Sequence, residues 1–121
     1  MTRIVDGDLL RVIGRAESLE VYTEINGNTA IMHLVGSVTK DIEENLADEI
    51  LALISVGRNI RIDLEKLEYI SISFQTRLIE IQRKYVERAG VELELFNVPH
   101  SMYMQFISIR LDTQIRIRQE E

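Results

Sequence analysis

The segment from residue 39 to residue 57, TKDIEENLADEILALISVG, limits the fold of this chain more than any other part of the sequence. Its apolar residues recur at intervals of three and four, which is the period of a helix with one buried face. Thr39 or Asp41 can cap the helix start, because their side chains accept hydrogen bonds from free backbone N–H groups, and Gly57 is typical of a helix end. The predicted buried face consists of Ile42, Leu46, Ile50, Leu53 and Ile54.

Strand patterns lie on both sides of this helix and return after each later helix. Residues 19–25 and 29–35 read as strands, and the Asn-Gly-Asn sequence between them is a turn signal, so we predict that they pair as a hairpin. Beyond the hairpin, helices and strands alternate, which implies right-handed crossovers between parallel strands. The later elements are predicted at 59–64 (strand), 74–89 (helix), 91–96 (strand), 101–109 (helix) and 113–118 (strand).

This order predicts an α/β domain, in which a mixed β-sheet of four to five strands carries amphipathic helices mainly on one face. We place a single domain at residues 17–121, since no repeat or linker composition interrupts that stretch. Residues 1–16 form an N-terminal arm whose structure the sequence leaves open, between an extra turn of helix and a loose arm. The oligomeric state is left open as well.

Charge and composition exclude several classes of protein. The formal net charge is −6 and the basic residues are scattered, which argues against nucleic-acid binding. The chain has no cysteine, so it has no disulfide and no zinc–thiolate site. Its longest apolar runs are far shorter than the roughly 20 residues that span a bilayer, and its N-terminus lacks the apolar segment of a signal peptide. We therefore expect a soluble, cytoplasmic protein without membrane insertion.

The sequence carries few residues of the kinds that catalytic and metal sites need. The two histidines, His33 and His100, lie far apart, and we interpret them as a strand residue and a loop residue. The acidic run at residues 41–49 lies near a helix start, where acids favour the helix dipole, and we interpret it as a solvated face rather than a metal site. Motifs of phosphate loops, dinucleotide sites and zinc proteases are missing. We predict a protein that is not an enzyme and that has no cofactor and no metal.

Two serines interrupt the apolar stretch LEYISISFQTRL at residues 67–78. They precede the second predicted helix, so Ser71 or Ser73 lies at its N-terminus. One interpretation is an N-cap, in which the hydroxyl accepts a hydrogen bond from a backbone N–H. The other is a phosphorylation site, because the dipole and free amides of a helix N-terminus tolerate a phosphate. Both hold if one serine caps the helix and the other carries the phosphate.

The whole pattern resembles the STAS domain family, which comprises the anti-sigma factor antagonists and their relatives. The similarity lies in IMHLVGSV before the first helix, IRIDLEKLEYI before the second, VELELFNV after it, and the short third helix. It covers residues 19–118. The resemblance implies that the chain has the STAS fold.

The family carries an Asp-Ser-Ser-Gly signature at the start of its second helix, and here Ser71-Ile72-Ser73-Phe74 occupies that place. The second serine of the signature is the phosphoacceptor of the family, so the resemblance assigns phosphorylation to Ser73, with Ser71 and Thr76 as alternatives. Ser71 replaces the acid, Ile72 the first serine and Phe74 the glycine. The phenylalanine is expected to place bulk beside the acceptor, where the family has a small residue.

The resemblance also implies a regulatory cycle. In the family, the unphosphorylated antagonist binds an anti-sigma factor that is also its serine kinase; phosphorylation ends this binding, and a PP2C-type phosphatase restores it. We expect a bacterial regulatory binding module of this kind. The alternative is a STAS scaffold subunit that is never phosphorylated, in a stressosome-like or lipid-transport-type complex. The residues expected to contact the partner are Ser37, Val38, Thr39, Ser71, Ser73, Phe74, Gln75 and Thr76.

Overall fold

The computed structural model describes residues 2–4, 7–13 and 18–120. The strands among these residues form one β-sheet. The strands follow one another across the sheet in chain order. Pairing is antiparallel from the first strand to the fourth and parallel from the fourth to the seventh. The strands are β1 (Thr2–Ile4), β2 (Gly7–Ile13), β3 (Ser18–Asn26), β4 (Thr29–Val38), β5 (Asn59–Ile70), β6 (Leu93–Val98) and β7 (Arg116–Gln119).

The predicted mixed sheet is confirmed. Its five predicted strands correspond to β3–β7, and β3 and β4 pair as the expected hairpin, with Gly27 at φ +61° in the turn. The segment 1–16, whose structure the sequence left open, contains β1 and β2, and β2 pairs antiparallel with β3 from Gly7 to Ile13. The domain boundary at residue 17 stays a prediction.

The helices follow the parallel strands, as predicted. Leu46 and Ile50 on the apolar side of the first helix are buried against the sheet together with the inward residues of β4 and β5. Among the residues described, no helix is long and apolar enough to cross a membrane. The helices are α1 (Glu43–Ser55), preceded by a 3-10 turn (Lys40–Ile42), then α2 (Ile72–Ile81), α3 (Glu87–Ala89) and α4 (His100–Ser108), followed by a 3-10 turn (Leu111–Thr113).

A π-helical turn (Gln82–Val86) joins α2 to α3 and changes which side chains face the core. A regular α-helical period continued from Leu78 and Ile81 would place Tyr85, and then Ala89, on the inward face. The wider turn places Val86, five residues after Ile81, in the core, so that Tyr85 is 41% exposed and Ala89 is exposed as well. Such turns insert one residue into a helix, and periodicity alone does not reveal them.

The π-helical turn predicts unequal costs for two neighbouring substitutions. Val86→Ala is expected to lower the free energy of unfolding by about 2 kcal/mol, because it removes two buried methyl groups and leaves a cavity. Tyr85→Ala is expected to cost about 0.5 kcal/mol, as is usual for surface positions. Urea denaturation of both variants measures the difference. A larger cost for Tyr85→Ala than for Val86→Ala would mean that this segment is a regular α-helix.

Strand β5 is six residues longer than the predicted strand 59–64 and runs directly towards α2. Two irregularities in its pairing with β4 let β5 carry extra residues, so that Val35 pairs with Lys66 and Val38 with Ile70. A single residue, Ser71, then separates β5 from α2. The start of α2 is therefore positioned by the sheet and not by a loop.

Candidate functional site

The start of α2 and the end of β4 lie side by side at the carboxyl edge of the parallel strands. Ser37 pairs with Tyr69 and Val38 with Ile70, and the backbone N–H of Ser71 donates to the carbonyl of Val38 at 3.0 Å. The two groups of residues expected to contact a partner, 37–39 and 71–76, are thus brought together. This edge is where α/β sheets commonly bind ligands.

Ser71 is the N-cap of α2, as one interpretation of the sequence proposed. Its backbone is extended (φ −65°, ψ 149°), and its Oγ accepts a hydrogen bond from the backbone N–H of Phe74 at 3.2 Å. The hydroxyl also donates to Oε1 of Glu43 at 2.9 Å. The side chain is buried, so the role of Ser71 is structural and its hydroxyl is shielded from solvent.

Ser73 lies in the first turn of α2 and is exposed. Its hydroxyl hydrogen-bonds to the carboxylate of Glu43, with Oε2 at 2.9 Å and Oε1 as a second, closer acceptor. Thr76, the other alternative, is exposed but donates to the carbonyl of Ile72 at 3.2 Å. Among the three candidate hydroxyls, Ser73 alone is both exposed and bonded to a carboxylate.

Glu43 is the residue of the site that the sequence interpretation missed. It is the first residue of α1, only 8% exposed, and its carboxylate accepts hydrogen bonds from both serines. The acidic run at 41–49 was interpreted as a solvated face, and for Glu43 this is wrong. The signal was available, since Glu43 stands three and seven residues before Leu46 and Ile50 and so falls on the buried side of the helix.

Besides Ser71, three residues of the expected contact set have side chains inside the fold. Phe74 is 1% exposed and Gln75 is fully buried, with Nε2 donating to the carbonyl of Ile70 at 3.3 Å and to Oε1 of Gln105 at 3.2 Å. Val38 is also buried. These side chains cannot reach a partner. The expectation that Phe74 crowds the acceptor is wrong, because its ring packs into the core.

Two apolar side chains that the sequence analysis did not select border the site. Tyr69 is 52% exposed and Ile72 is 64% exposed, and they flank the buried Ser71 in the chain. Large apolar side chains exposed beside a polar site favour a contact surface for a protein. We define the α2-start surface as Ser37, Thr39, Tyr69, Ile72, Ser73 and Thr76.

The histidines lie away from this surface. His33 is in β4, as predicted, and its Nδ1–H donates to Oδ2 of Asp63 at 2.7 Å. His100 is the first residue of α4, where its Nδ1 lies 3.2 Å from Oε1 of Gln119. Within residues 2–4, 7–13 and 18–120, no group of three or more His, Asp or Glu side chains is arranged to hold a metal ion.

Asp63 joins three strands of the parallel part of the sheet. Besides His33, its carboxylate accepts hydrogen bonds from the backbone N–H of Glu65 at 3.0 Å and from Nδ2 of Asn97 at 3.2 Å. Burial by itself raises the pKa of Asp63, but the hydrogen bonds from Glu65, His33 and Asn97 together outweigh it and hold the pKa below its usual value. Asp63 is therefore charged at neutral pH and binds β4, β5 and β6 together.

Solved structures share this fold. An anti-sigma factor antagonist from Mycobacterium paratuberculosis superposes with a TM-score of 0.71 at 14% identity, covering 88% of this chain and 90% of that one. The anti-sigma factor antagonist SpoIIAA in its unphosphorylated form gives 0.62 at 18% identity, over 80% and 86%. An uncharacterized DUF3478-family protein with a SpoIIAA-like fold, from Shewanella loihica PV-4, gives 0.57 at 11% identity, over 90% of each chain. The architecture is thus that of a SpoIIAA-like α/β domain.

The sequence itself matches a family model described as "Mlab, STAS domain" over residues 21–118. The chain belongs to the STAS domain family, and the resemblance drawn from the sequence is confirmed. No curated protein sequence matches the chain.

Proposed function

We propose that this chain is a non-catalytic regulatory module of bacteria that binds an anti-sigma factor with serine kinase activity, and that phosphorylation of Ser73 ends the binding. The observation that carries the proposal is the position of Ser73. It is exposed in the first turn of α2, at the place that the STAS resemblance gives to the phosphoacceptor. Two of the structural neighbours are named anti-sigma factor antagonists, which supports this class of function.

The α2-start surface gives such a phosphate a direct effect on binding. A phosphate adds about −1.5 to −2 charges at neutral pH. On Ser73 it would lie one residue from the exposed Ile72, on a chain that already carries a net charge of −6. Charge placed within an apolar contact has to be desolvated there and weakens the complex. A PP2C-type phosphatase would restore binding, and we expect the cycle to operate in the cytoplasm.

A second candidate is a STAS scaffold subunit that is never phosphorylated, in a stressosome-like or lipid-transport-type complex. The hydrogen bonds between Ser73 and Glu43 favour it, because they give the serine a structural role that needs no phosphate. The substitution of the signature residues by Ser71, Ile72 and Phe74 points in the same direction. In this case the α2-start surface holds its partner permanently.

The state of Ser73 in partner-bound and partner-free protein separates the two candidates. Trypsin cuts after Lys66 and Arg77 and releases LEYISISFQTR, which carries all three candidate hydroxyls. We expect the chain isolated from its own cells to divide, on gel filtration, into a complex with unmodified peptide and a free fraction with phosphate on Ser73. Mass spectrometry of the peptide from each fraction measures this. Phosphate on Ser71 or Thr76 alone contradicts the assignment, and a permanent complex without phosphate favours the scaffold.

A further inference from the structure

Polar contacts join α2 to the first two residues of α1. Glu43 accepts hydrogen bonds from Ser71 and Ser73, and Oε1 of Glu44 lies 3.7 Å from Nε of Arg77. Arg77 stands four residues after Ser73 and therefore on the same side of α2. The start of α1 is thus attached to the segment of α2 that carries the proposed phosphoacceptor.

The residues just before Glu43 belong to the other half of the α2-start surface. Ser37 and Val38 end β4, and the backbone N–H of Ile42 donates to the carbonyl of Thr39 at 3.2 Å. The hydroxyl of Thr39 in turn donates to Oδ1 of Asp41 at 2.6 Å. Residues 39–42 are therefore one short, internally bonded segment that continues directly into Glu43, so a displacement of Glu43 would be carried into it.

Phosphorylation of Ser73 changes both contacts with α1. When the γ-phosphoryl group of ATP is transferred, the bond from Oγ to phosphorus forms, the bond from phosphorus to ADP breaks, and the hydroxyl proton is released. The ester oxygen has no hydrogen left to donate to Glu43, and the phosphate dianion lies beside a buried carboxylate, which it repels. The same dianion competes with Glu44 and Glu80 for the guanidinium of Arg77, whose Nη1 hydrogen-bonds to Glu80, because arginine pairs strongly with phosphate.

We propose that Glu43 transmits the phosphorylation of Ser73 to the start of α1, so that residues 39–46 rearrange together with the phosphorylated turn. The carboxylate leaves its buried position, and the segment between β4 and α1 moves with it. The inference rests on the proposed role of Ser73 and adds to it a mechanism of regulation. The partner then meets an altered surface on both sides of the site, and not merely a new charge on one residue.

The test uses the isolated chain of residues 1–121, labelled with 15N, with phosphoserine incorporated at position 73 during translation. We expect amide shifts at residues 39–46 as well as around residue 73, and hydrogen exchange of the Leu46 and Ala47 amides faster by about fivefold or more. In Glu43→Gln, which keeps the size and an acceptor oxygen but not the charge, the same phosphoserine should change these exchange rates by less than about twofold. Asp48→Asn, an exposed position on α1, is the matched control and should behave like the wild type.

Two results would overturn the proposal: residues 39–46 unaffected by phosphoserine in the wild type, or affected equally in Glu43→Gln. If Glu43→Gln does not fold, Ser73→Ala serves instead. It removes the hydrogen bond without adding charge, and a response at 39–46 as large as that of phosphoserine would show that repulsion of Glu43 is not the cause. No kinase or partner takes part, so absence of phosphate in cells would refute the proposed function while leaving this coupling measurable.

Discussion

Phe74→Gly, which restores the residue that the family signature has after the acceptor, is expected to lower the free energy of unfolding by about 4–6 kcal/mol. Phe74 is 1% exposed and lies in the core with Leu78 and Ile81 of the same helix. Removing its ring leaves a cavity that a packed core refills only in part, and glycine also weakens the helix. The loss is comparable to the whole stability of many small domains. Urea or thermal denaturation measures it.

Thr76→Gly is the matched control for this prediction. It places the same residue in the same helix at an exposed position without removing a buried ring. Because the bond from the Thr76 hydroxyl to the carbonyl of Ile72 is exposed, helix propensity dominates the change, and we expect a loss of about 0.5 kcal/mol. A loss for Phe74→Gly as small as that of the control would mean that the ring lies outside the core. In that event the ring of Phe74 would lie beside Ser73, as the sequence predicted.

Asp63→Ala is expected to lower the free energy of unfolding by about 2–4 kcal/mol at neutral pH. The carboxylate is buried among three hydrogen bonds, and its removal leaves the N–H groups of Glu65, His33 and Asn97 without their acceptor. Asn97 also has a positive φ of 53°, a conformation that asparagine adopts more readily than most residues. Asp112→Ala, at an exposed aspartate, is the control and should cost about 0.5 kcal/mol or less.

The contribution of Asp63 should also depend on pH, with a definite sign. Its pKa is lower in the folded chain than in the unfolded chain, so the unfolded state takes up protons first as the pH falls. The stabilisation is therefore complete above about pH 4, the ordinary value for aspartate, and declines as the pH falls through the folded pKa. Denaturation midpoints of wild type and Asp63→Ala should converge at acid pH. A difference that stays constant with pH would contradict the charge-based account.

The sequence predicted the order of elements because each depends on local patterns. The helix at 39–57 and the turn at Gly27 follow from apolar spacing and backbone preference, which neighbouring residues set by themselves. The burial of the Val86 side chain was missed because a π-helical turn departs from the regular helical period. The two strands before residue 14 were missed as well, although β2 and β3 are consecutive and pair antiparallel from Ile13 with Ser18 to Gly7 with Glu24, because the sequence there was left open between a turn of helix and a loose arm.

The residues of the site were predicted only in part, because local contacts can be inferred from sequence and long-range contacts cannot. That Ser71 caps α2 is a local property and could be inferred from its position before a helix. That Glu43 meets Ser73 depends on how α1 packs beside α2, across 30 residues of chain. The burial of Phe74 and Gln75 was missed because the family signature compares neighbours of the acceptor in sequence, whereas burial depends on the helical face on which a residue lies.

Only Ser71 separates the end of β5 from the start of α2, so an insertion at this junction would displace the helix. An extra residue there would rotate α2 by about 100° and advance it by about 1.5 Å, which takes Ser73 away from Glu43. The hairpin turn at Asn26–Asn28 lies far from this contact along the chain and can change length without touching it. Gains and losses of residues over evolution are thus expected to accumulate in the turns, while the distance from β5 to α2 keeps its length.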